Sequence, residues 1–366
     1  MRRTRVAIIF GGRSGEHEVS CVSARHVAAA LDPEKFEVIP IAISRYGEWL
    51  LPEVSRKVLE GGHLEVPAVA FEAEGEPVTL DSSSHQIVPS DRSSAVAPIS
   101  DIDVVFPVLH GPNGEDGTVQ GLLELMDVAY VGSGVLGSAL GMDKEKMKIV
   151  LRAAGLPGVE FVTVRESEWR SDMKALLHRA GALGFPLFTK PANLGSSVGI
   201  SKCKDALSLV AGIEEALRHD RKVLIEEGIS GRELEVGVLG NDEPIASVVG
   251  EIIPAREFYD YEAKYSDPTS QTRIPAELPS EVSDQVRKYS IAAFRAIDAS
   301  GLARVDFFYE EAGRGVLVNE INTIPGFTTI SMYPKLWEAS GIAYPDLVSR
   351  LLDLAQEKHA RKPRPV

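Results

Sequence analysis

Asp306, Glu320 and Asn322 are the residues whose types and spacing most directly suggest chemistry. They lie in or beside two segments that read as strands, residues 303–309 and 315–321. Side chains two apart in an extended chain point the same way, so Glu320 and Asn322 share a face. With Asp306 beside them on the neighbouring strand, the set could hold Mg²⁺, which takes one or two carboxylates and completes its shell with water and substrate phosphates. Polar residues alternating along a strand are also the ordinary sign of a solvated face, and the spacing alone leaves both readings open. Arg304 shares a face with Asp306 and could balance an oxyanion. Residues 323–332, TIPGFTTISM, then leave the strand through a Pro-Gly turn. That segment is either a plain turn or a place where backbone N–H groups approach an anion closely.

Phosphate groups would need cations and donors. Lys190 ends a strand expected at 186–190 and precedes PANLGSSVG, a loop able to aim N–H and hydroxyl groups at phosphate oxygens, or else a plain solvent loop. Lys144, in the run MDK, is a second phosphate charge or a surface lysine. The Walker A pattern GxxxxGK[ST] is absent, which disfavours a P-loop nucleotidase. Residues 132–137, GSGVLG, fit GxGxxG, but no acidic residue ends a clean next strand about 20 residues on, which disfavours a dinucleotide site. A strand at 223–227 ends in Glu226 and Glu227 and turns through GISGR to Glu233. Such a strand end could receive adenine through backbone groups and ribose through Glu233, or the acids could be solvated.

The elements that must position these residues follow from apolar spacing. A buried strand at 6–10, a helix at 19–31 and a strand at 36–43 open the chain as an α/β unit. Residues 45–100 read as an irregular insertion with some strands. A strand at 104–109 empties into HGPNGEDGT before a helix at 119–126 and a strand at 129–131; this alternation implies a parallel sheet. An amphipathic helix from Met142 stops at Gly155 and Pro157. Strands at 161–164, 186–190, 199–201 and 223–227 with helices at 169–180 and 204–219 form a small α+β unit. Beyond it come strands at 234–239 and 245–253, a loop at 254–278, a helix at 281–299, the two strands of the acidic cluster, and a last helix at 344–357. A disordered tail is expected at 358–366. Domain boundaries are expected near 132 and 226.

Bulk properties narrow the function. The 366 residues are 44% hydrophobic and 25% charged, ordinary for a soluble globular chain. The net charge of -14 disfavours nucleic-acid binding, which rests on Lys and Arg neutralising phosphates. The apolar run after MRRTR stops at Gly11-Gly12, too short for a signal peptide, and no stretch approaches the roughly 20 apolar residues of a membrane span. The two cysteines, Cys21 and Cys203, allow no disulfide framework and suit a reducing cytoplasm, where they read as free structural thiols.

Taken in order, GGRSGEHEVS (11–20), LHGPNGEDGTVQG (109–121), MDK (142–144), KPANLGSSVG (190–199), EEGISGRE (226–233), YDYEAKY (259–265), RVDFF (304–308) and NEINTIPGFT (319–328) resemble the D-alanine–D-alanine ligases of the ATP-grasp superfamily. The likeness spans nearly the whole chain. It implies a three-domain ATP-grasp fold: an N-terminal α/β substrate-binding domain built on a parallel sheet (1–132), then a central (133–226) and a C-terminal catalytic (227–366) α+β domain with ATP between them. It also implies ATP-dependent joining of two D-alanine molecules through an acyl phosphate, for a peptidoglycan precursor, in a cytoplasmic homodimer with neither nucleic-acid nor membrane partners. Carried over residue by residue, Lys144 and Lys190 would bind ATP phosphates. Glu226, Glu227, Ile229 and Glu233 would bind adenosine, and Asp306, Glu320 and Asn322 two Mg²⁺ (or Mn²⁺) ions. Glu16 would receive the first D-alanine's ammonium and link through Ser196 and Tyr265 to a closing loop, with Lys264 beside the transferred phosphate. Arg304 and the Gly326 N–H would face the tetrahedral oxyanion, and Ser331 with the Met332 backbone would hold the second carboxylate. Thr189 departs from the apolar residue usual before the lysine. Tyr265 favours the dipeptide over the product of the D-alanine–D-lactate ligases, the minor alternative; another ATP-grasp carboxylate–amine ligase is a further one.

Overall fold

The run VAIIF, with no polar residue to favour either side, forms the centre of β1 (Thr4–Gly11) and is buried on both faces. The computed structural model describes residues 2–50, 52–60, 77–81, 86–89, 102–195, 198–253 and 271–362. After β1 come α1 (His17–Ala30), β2 (Phe36–Ile43), β3 (Trp49–Leu50), α2 (Pro52–Glu60), β4 (Pro77–Asp81), β5 (Gln86–Pro89), β6 (Val104–Val108), α3 (Thr118–Leu125) and β7 (Ala129–Tyr130). Among the described residues they build a seven-stranded sheet in the order β5-β4-β3-β2-β1-β6-β7. The strands β2, β1, β6 and β7 pair parallel, as the β-loop-α alternation implies. The expected insertion supplies an antiparallel ribbon on one edge, β3 to β5, together with the helix α2, which the weak pattern of 45–100 did not reveal.

Next come α4 (Val135–Met142) and α5 (Lys144–Ala153), the latter being the amphipathic helix expected from Met142 to Gly155. Asp143 divides them by capping α5, its carboxylate accepting from Lys146 N at 3.1 Å. The same chemistry splits the helix expected at 169–180 into α6 (Glu166–Ser171) and α7 (Met173–Gly181), because Asp172 accepts from Ala175 N. With β8 (Phe161–Arg165), β9 (Leu187–Pro191), β10 (Ser201–Cys203), α8 (Ala206–Leu217) and β11 (Lys222–Glu227) they form a layered unit on an antiparallel sheet of order β10-β9-β11-β8. Its core gathers Trp169, Leu176, Leu187, Ile213 and Ile225.

The third sheet holds β12 (Arg232–Gly240), β13 (Ile245–Ala246), β14 (Gly250–Ile253), β15 (Gln271–Arg273), β16 (Gly301–Glu310) and β17 (Gly315–Asn322). They run β15-β14-β12-β16-β17, with β13 on β12. Helix α9 (Ser280–Ala296) packs its Val286, Ala293 and Phe294 against Leu234, Val236, Val305 and Phe307 of that sheet. The opposite face is polar. Helices α10 (Met332–Ala339) and α11 (Tyr344–Ala360) close the chain. Leu347, Leu351 and Leu352 of α11 join the core of the first sheet, so the C-terminus returns to the N-terminal unit.

Helix α10 was not anticipated, and the expected disordered tail is corrected in part. The last helix runs on to Ala360; Lys358 Nζ donates to Gly132 O at 2.6 Å and lies 4.2 Å from the Tyr130 ring centroid, while Lys362 pairs with Glu124. Residues 363–366 lie outside the described residues. The last glycine of the GxGxxG match serves close packing: a Cβ on Gly137 would stand 2.7 Å from Asp298 O. Both cysteines are free and buried, and no described helix is long and apolar enough to cross a membrane.

Candidate active site

Strand register explains why acids collect on one side of the third sheet. Across β12 and β16, Leu234 faces Phe307 and Val236 faces Val305, which places these apolar pairs on the α9 side. The residues between them, Glu233, Glu235, Arg304 and Asp306, must point the other way. On β17, Glu320 is paired with Asp306 and Asn322 with Arg304. A register shift makes Val318 the partner of Phe307, so Asn319 is an extra residue, and the bulge re-aims the strand beside Glu320. The face therefore presents four carboxylates and a single guanidinium to a cavity of about 730 Å³.

Arg304 is the internal counter-ion of this face. Its Nε and Nη2 each donate to Asp306 at 2.7 Å, and Nε lies 3.1 Å from Glu235 Oε2. Burial opposes its charge, but Asp306, Glu235 and Glu320 outweigh that and raise its pKa well above the ordinary value. Asn322 Nδ2 donates to Asp306 Oδ2 at 3.1 Å. Glu235 was not foreseen, because its alternation with Leu234 and Val236 looked like that of any half-buried strand.

The opposite wall is basic. Lys190 comes from β9, and Lys144 opens α5, its Nζ donating to Leu194 O at 2.6 Å. A helix N-terminus favours anions, so both the lysine and the helix start suit this position to an anion. Glu226, on β11 next to β9, is 2% exposed, and its oxygens lie 2.7 Å from Lys190 Nζ and 3.1 Å from Lys148 Nζ. Burial alone would raise the Glu226 pKa; Lys148 and Lys190 together hold it below the usual carboxylate value. Burial likewise works against charge on Lys190, but Glu226, Glu320 and Glu233 raise its pKa. Lys148 was missed. The signal was its place four residues after Lys144 on the same face of the helix.

The remaining predicted residues divide clearly. Ile229, Glu233, Gly326 and Ser331 line the same cavity, as does Glu16. Glu227 does not: its carboxylate accepts from Arg314 at 2.7 Å and from Glu160 N at 2.8 Å. Ser196, Lys264 and Tyr265 lie outside the described residues. Glu16 is placed by the opening loop, where Ser20 Oγ accepts from Gly11 N at 2.7 Å and donates to Val108 O. Gly11 has φ +90, and a Cβ there would lie 2.3 Å from Ile43 O, so only glycine fits. Two further glycines leave room for the Glu16 carboxylate: a Cβ would stand 2.9 Å from its Oε2 at Gly195 and 3.4 Å from it at Gly111.

His110 and Glu115 also line the cavity, and nothing in the spacing of the HGPNGEDGT loop singled them out. His110 donates from Nδ1 to Ile324 O at 3.0 Å, and burial lowers its pKa, leaving a neutral ring with Nε2 as the acceptor. Glu115 accepts from Gly111 N at 2.8 Å, and burial together with the Glu16 carboxylate pushes its pKa to about 8. Ser331 Oγ accepts from Thr328 N at 3.0 Å just before α10, whose N-terminus opens on the cavity. Phe327 anchors this loop: its ring meets Phe106, Tyr333 and Tyr344, and Tyr344 OH donates to its carbonyl.

The arrangement has the parts of an ATP-dependent ligase of the ATP-grasp type, with Lys190 of an antiparallel sheet and Lys144 of a neighbouring helix facing an acidic strand face across one cavity. Family models described as D-ala D-ala ligase N-terminus and D-ala D-ala ligase C-terminus match residues 5–133 and 150–353. The chain belongs to the D-alanine–D-alanine ligase family. It is 50% identical to the D-alanine--D-alanine ligase of Geobacillus thermodenitrificans over 98% of this chain and 97% of that one. Among solved structures, the D-alanine-D-alanine ligase from Coxiella burnetii is similar with a TM-score of 0.83, 38% identity, and coverage of 98% of this chain and 96% of the other. The VanG D-Ala:D-Ser ligase from Enterococcus faecalis has the same TM-score at 37% identity, covering 97% and 100%.

Proposed function

We propose that this enzyme joins two D-alanine molecules at the expense of ATP, passing through a D-alanyl phosphate, and so supplies the dipeptide for peptidoglycan. One observation carries the reading: the polar face of β12, β16 and β17, with its four carboxylates and Arg304, stands across a single cavity from Lys144 and Lys190. A carboxylate is a poor electrophile, so ATP first phosphorylates it and the second amine then displaces phosphate. Positioning and charge carry most of such a phosphoryl transfer.

Lys144 and Lys190 take the ATP phosphates, while Ile229, Glu233 and the strand end at Glu226–Glu227 flank adenosine. Glu227 contributes there through its backbone, since its carboxylate is held by Arg314. Among the described residues no group of three or more His, Cys, Asp or Glu is disposed as a metal cage. The donor set is instead Asp306, Glu320 and the Asn322 amide, hard oxygens on paired strands, and this chemistry fits two Mg²⁺ or Mn²⁺ ions that share their shells with phosphates. Bound there, the ions would offset charge on the transferred group. Glu16 receives the first ammonium. Arg304 and the Gly326 N–H face the developing oxyanion, and fixed donors of this kind often supply the largest catalytic term. Ser331 and the Met332 N–H at the start of α10 hold the second carboxylate. In this reading Glu16 links through Ser196 and Tyr265 to a loop that would close over the site and keep water from the acyl phosphate, with Lys264 beside the transferred phosphate.

The remaining parts of this reading are a division at residues 132 and 226, a homodimer, and a cytoplasmic location. The test is ADP release by purified enzyme with D-alanine alone, and with D-alanine paired with D-serine or D-lactate. D-Alanine alone should support turnover and give the dipeptide by mass spectrometry. Turnover that requires D-serine, D-lactate or another acid–amine pair would refute the substrate assignment while leaving the ligase class intact.

A further inference from the structure

Lys148 is held where a lysine costs most. Its side chain is 6% exposed, and burial lowers its pKa despite Glu226. It makes two contacts across the cavity floor, one to Glu226 Oε1 on β11 at 3.1 Å and one from Nζ to Asn319 O at 3.0 Å. Asn319 is the bulged residue of β17, and Glu320 follows it. Lys190, on β9, takes the other oxygen of Glu226 at 2.7 Å. One buried carboxylate is thus shared by two buried ammonium groups.

The charge count matters. Glu226 alone with Lys190 would form a neutral buried pair, drawing the lysine toward β11 and cancelling its field where a phosphate arrives. In a site of low dielectric such a pairing is strong, and breaking or diverting it is costly. A second cation changes the sum: two lysines and one carboxylate leave one net positive charge facing the cavity. We propose that Lys148 is a positioning residue that satisfies Glu226 from behind, so that Lys190 remains available to an ATP phosphate. This rests on the reading of Lys190 as a phosphate-binding lysine.

The experiment measures the ATP dissociation constant by calorimetry with magnesium present, and the D-alanine KM by ADP release, in a set of variants ordered by cluster charge. Lys148→Met makes the cluster neutral and should weaken ATP binding by roughly 10- to 100-fold while moving the D-alanine KM by less than about threefold. Lys148→Arg keeps the charge and should recover most of that affinity. Lys148→Met combined with Glu226→Gln restores the net positive charge and should bind ATP more tightly than Lys148→Met alone, a reversal that loss of a mere scaffold contact would not give.

Lys148→Met binding ATP within about twofold of the unaltered enzyme, or a double variant no better than the single one, overturns the proposal. If Lys148→Met does not fold, the double variant compared with Glu226→Gln alone decides: with no carboxylate left to hold Lys190, loss of Lys148 should change ATP affinity by less than about twofold from that of Glu226→Gln, and a fall to the affinity of Lys190→Met overturns the role. Lys190→Met separates the two levels. Unchanged ATP binding in that variant defeats the phosphate reading itself, whereas a weakened Lys190→Met beside an unaffected Lys148→Met defeats only the role of Lys148.

Discussion

Replacing Phe327 by alanine tests whether the loop bearing Gly326 and Ser331 is held by packing. Phe327 is 0% exposed. Its ring meets Phe106 at 5.7 Å edge-on, Tyr333 at 5.6 Å and Tyr344 at 6.3 Å, so its neighbours sit on β6, α10 and α11, three elements from opposite ends of the chain. Truncating a buried phenylalanine costs about 3–5 kcal/mol, more where surrounding groups cannot collapse into the void. Walls fixed by separate elements collapse poorly, and each lost aromatic pair removes a further ~0.5–1.5 kcal/mol, which places Phe327→Ala at the upper end. Differential scanning calorimetry should show a fall in melting temperature of roughly 5–10 °C. Because the loop loses its anchor beside Ser331, the KM for the second D-alanine should rise more than the KM for ATP. A variant that melts within about 2 °C of the unaltered enzyme, with both KM values unchanged, would refute the packing account of how this loop is placed.

Two other perturbations probe neighbouring parts of the site. Glu115, with its pKa raised to about 8, is neutral in the folded enzyme where the unfolded chain ionises near pH 4.5. Its stabilising contribution is complete below pH 4.5 and is lost as pH rises through 8; Glu115→Gln, which cannot ionise, should therefore gain stability relative to the unaltered enzyme by at most roughly 1.4 kcal/mol per pH unit across that window. Melting curves that stay parallel from pH 5 to 8 would contradict the shift. Gly195→Ala places a Cβ 2.9 Å from Glu16 Oε2, the mobile end of a side chain rather than backbone. Folding should be little affected while Glu16 is displaced, raising the D-alanine KM by about tenfold and leaving ATP binding close to normal. An unchanged D-alanine KM would remove Glu16 from the substrate site.

Much of this was legible because it is local. The apolar centres of β1, β2 and β6 announce buried strands, and alternation about Asp306 and Glu320 announces a polar face. Asp172 was harder, since an N-cap within an amphipathic run looks like any polar position until the helix is seen to restart. Helix α10 was hidden by its shortness and by Pro334 inside it. The extension of α11 was hidden because Lys358 reads as a solvated tail residue unless Tyr130 and Gly132, more than two hundred positions away, are known to lie beneath it. The least legible features are the long-range charge pairs. Lys148 with Glu226, Arg304 with Glu235, and Glu115 with Glu16 depend on strand register and on which sheets face one another, and neither can be read from spacing within one segment.

Manganese binding to the ADP-loaded enzyme, followed by electron paramagnetic resonance as free Mn²⁺ is depleted, tests the central claim about the polar strand face most directly. The unaltered protein should take up two ions for each chain, and Glu320→Ala and Asn322→Ala should each lose tight uptake of at least one while ADP remains bound. Full uptake of both ions by those variants, with turnover intact, would contradict it.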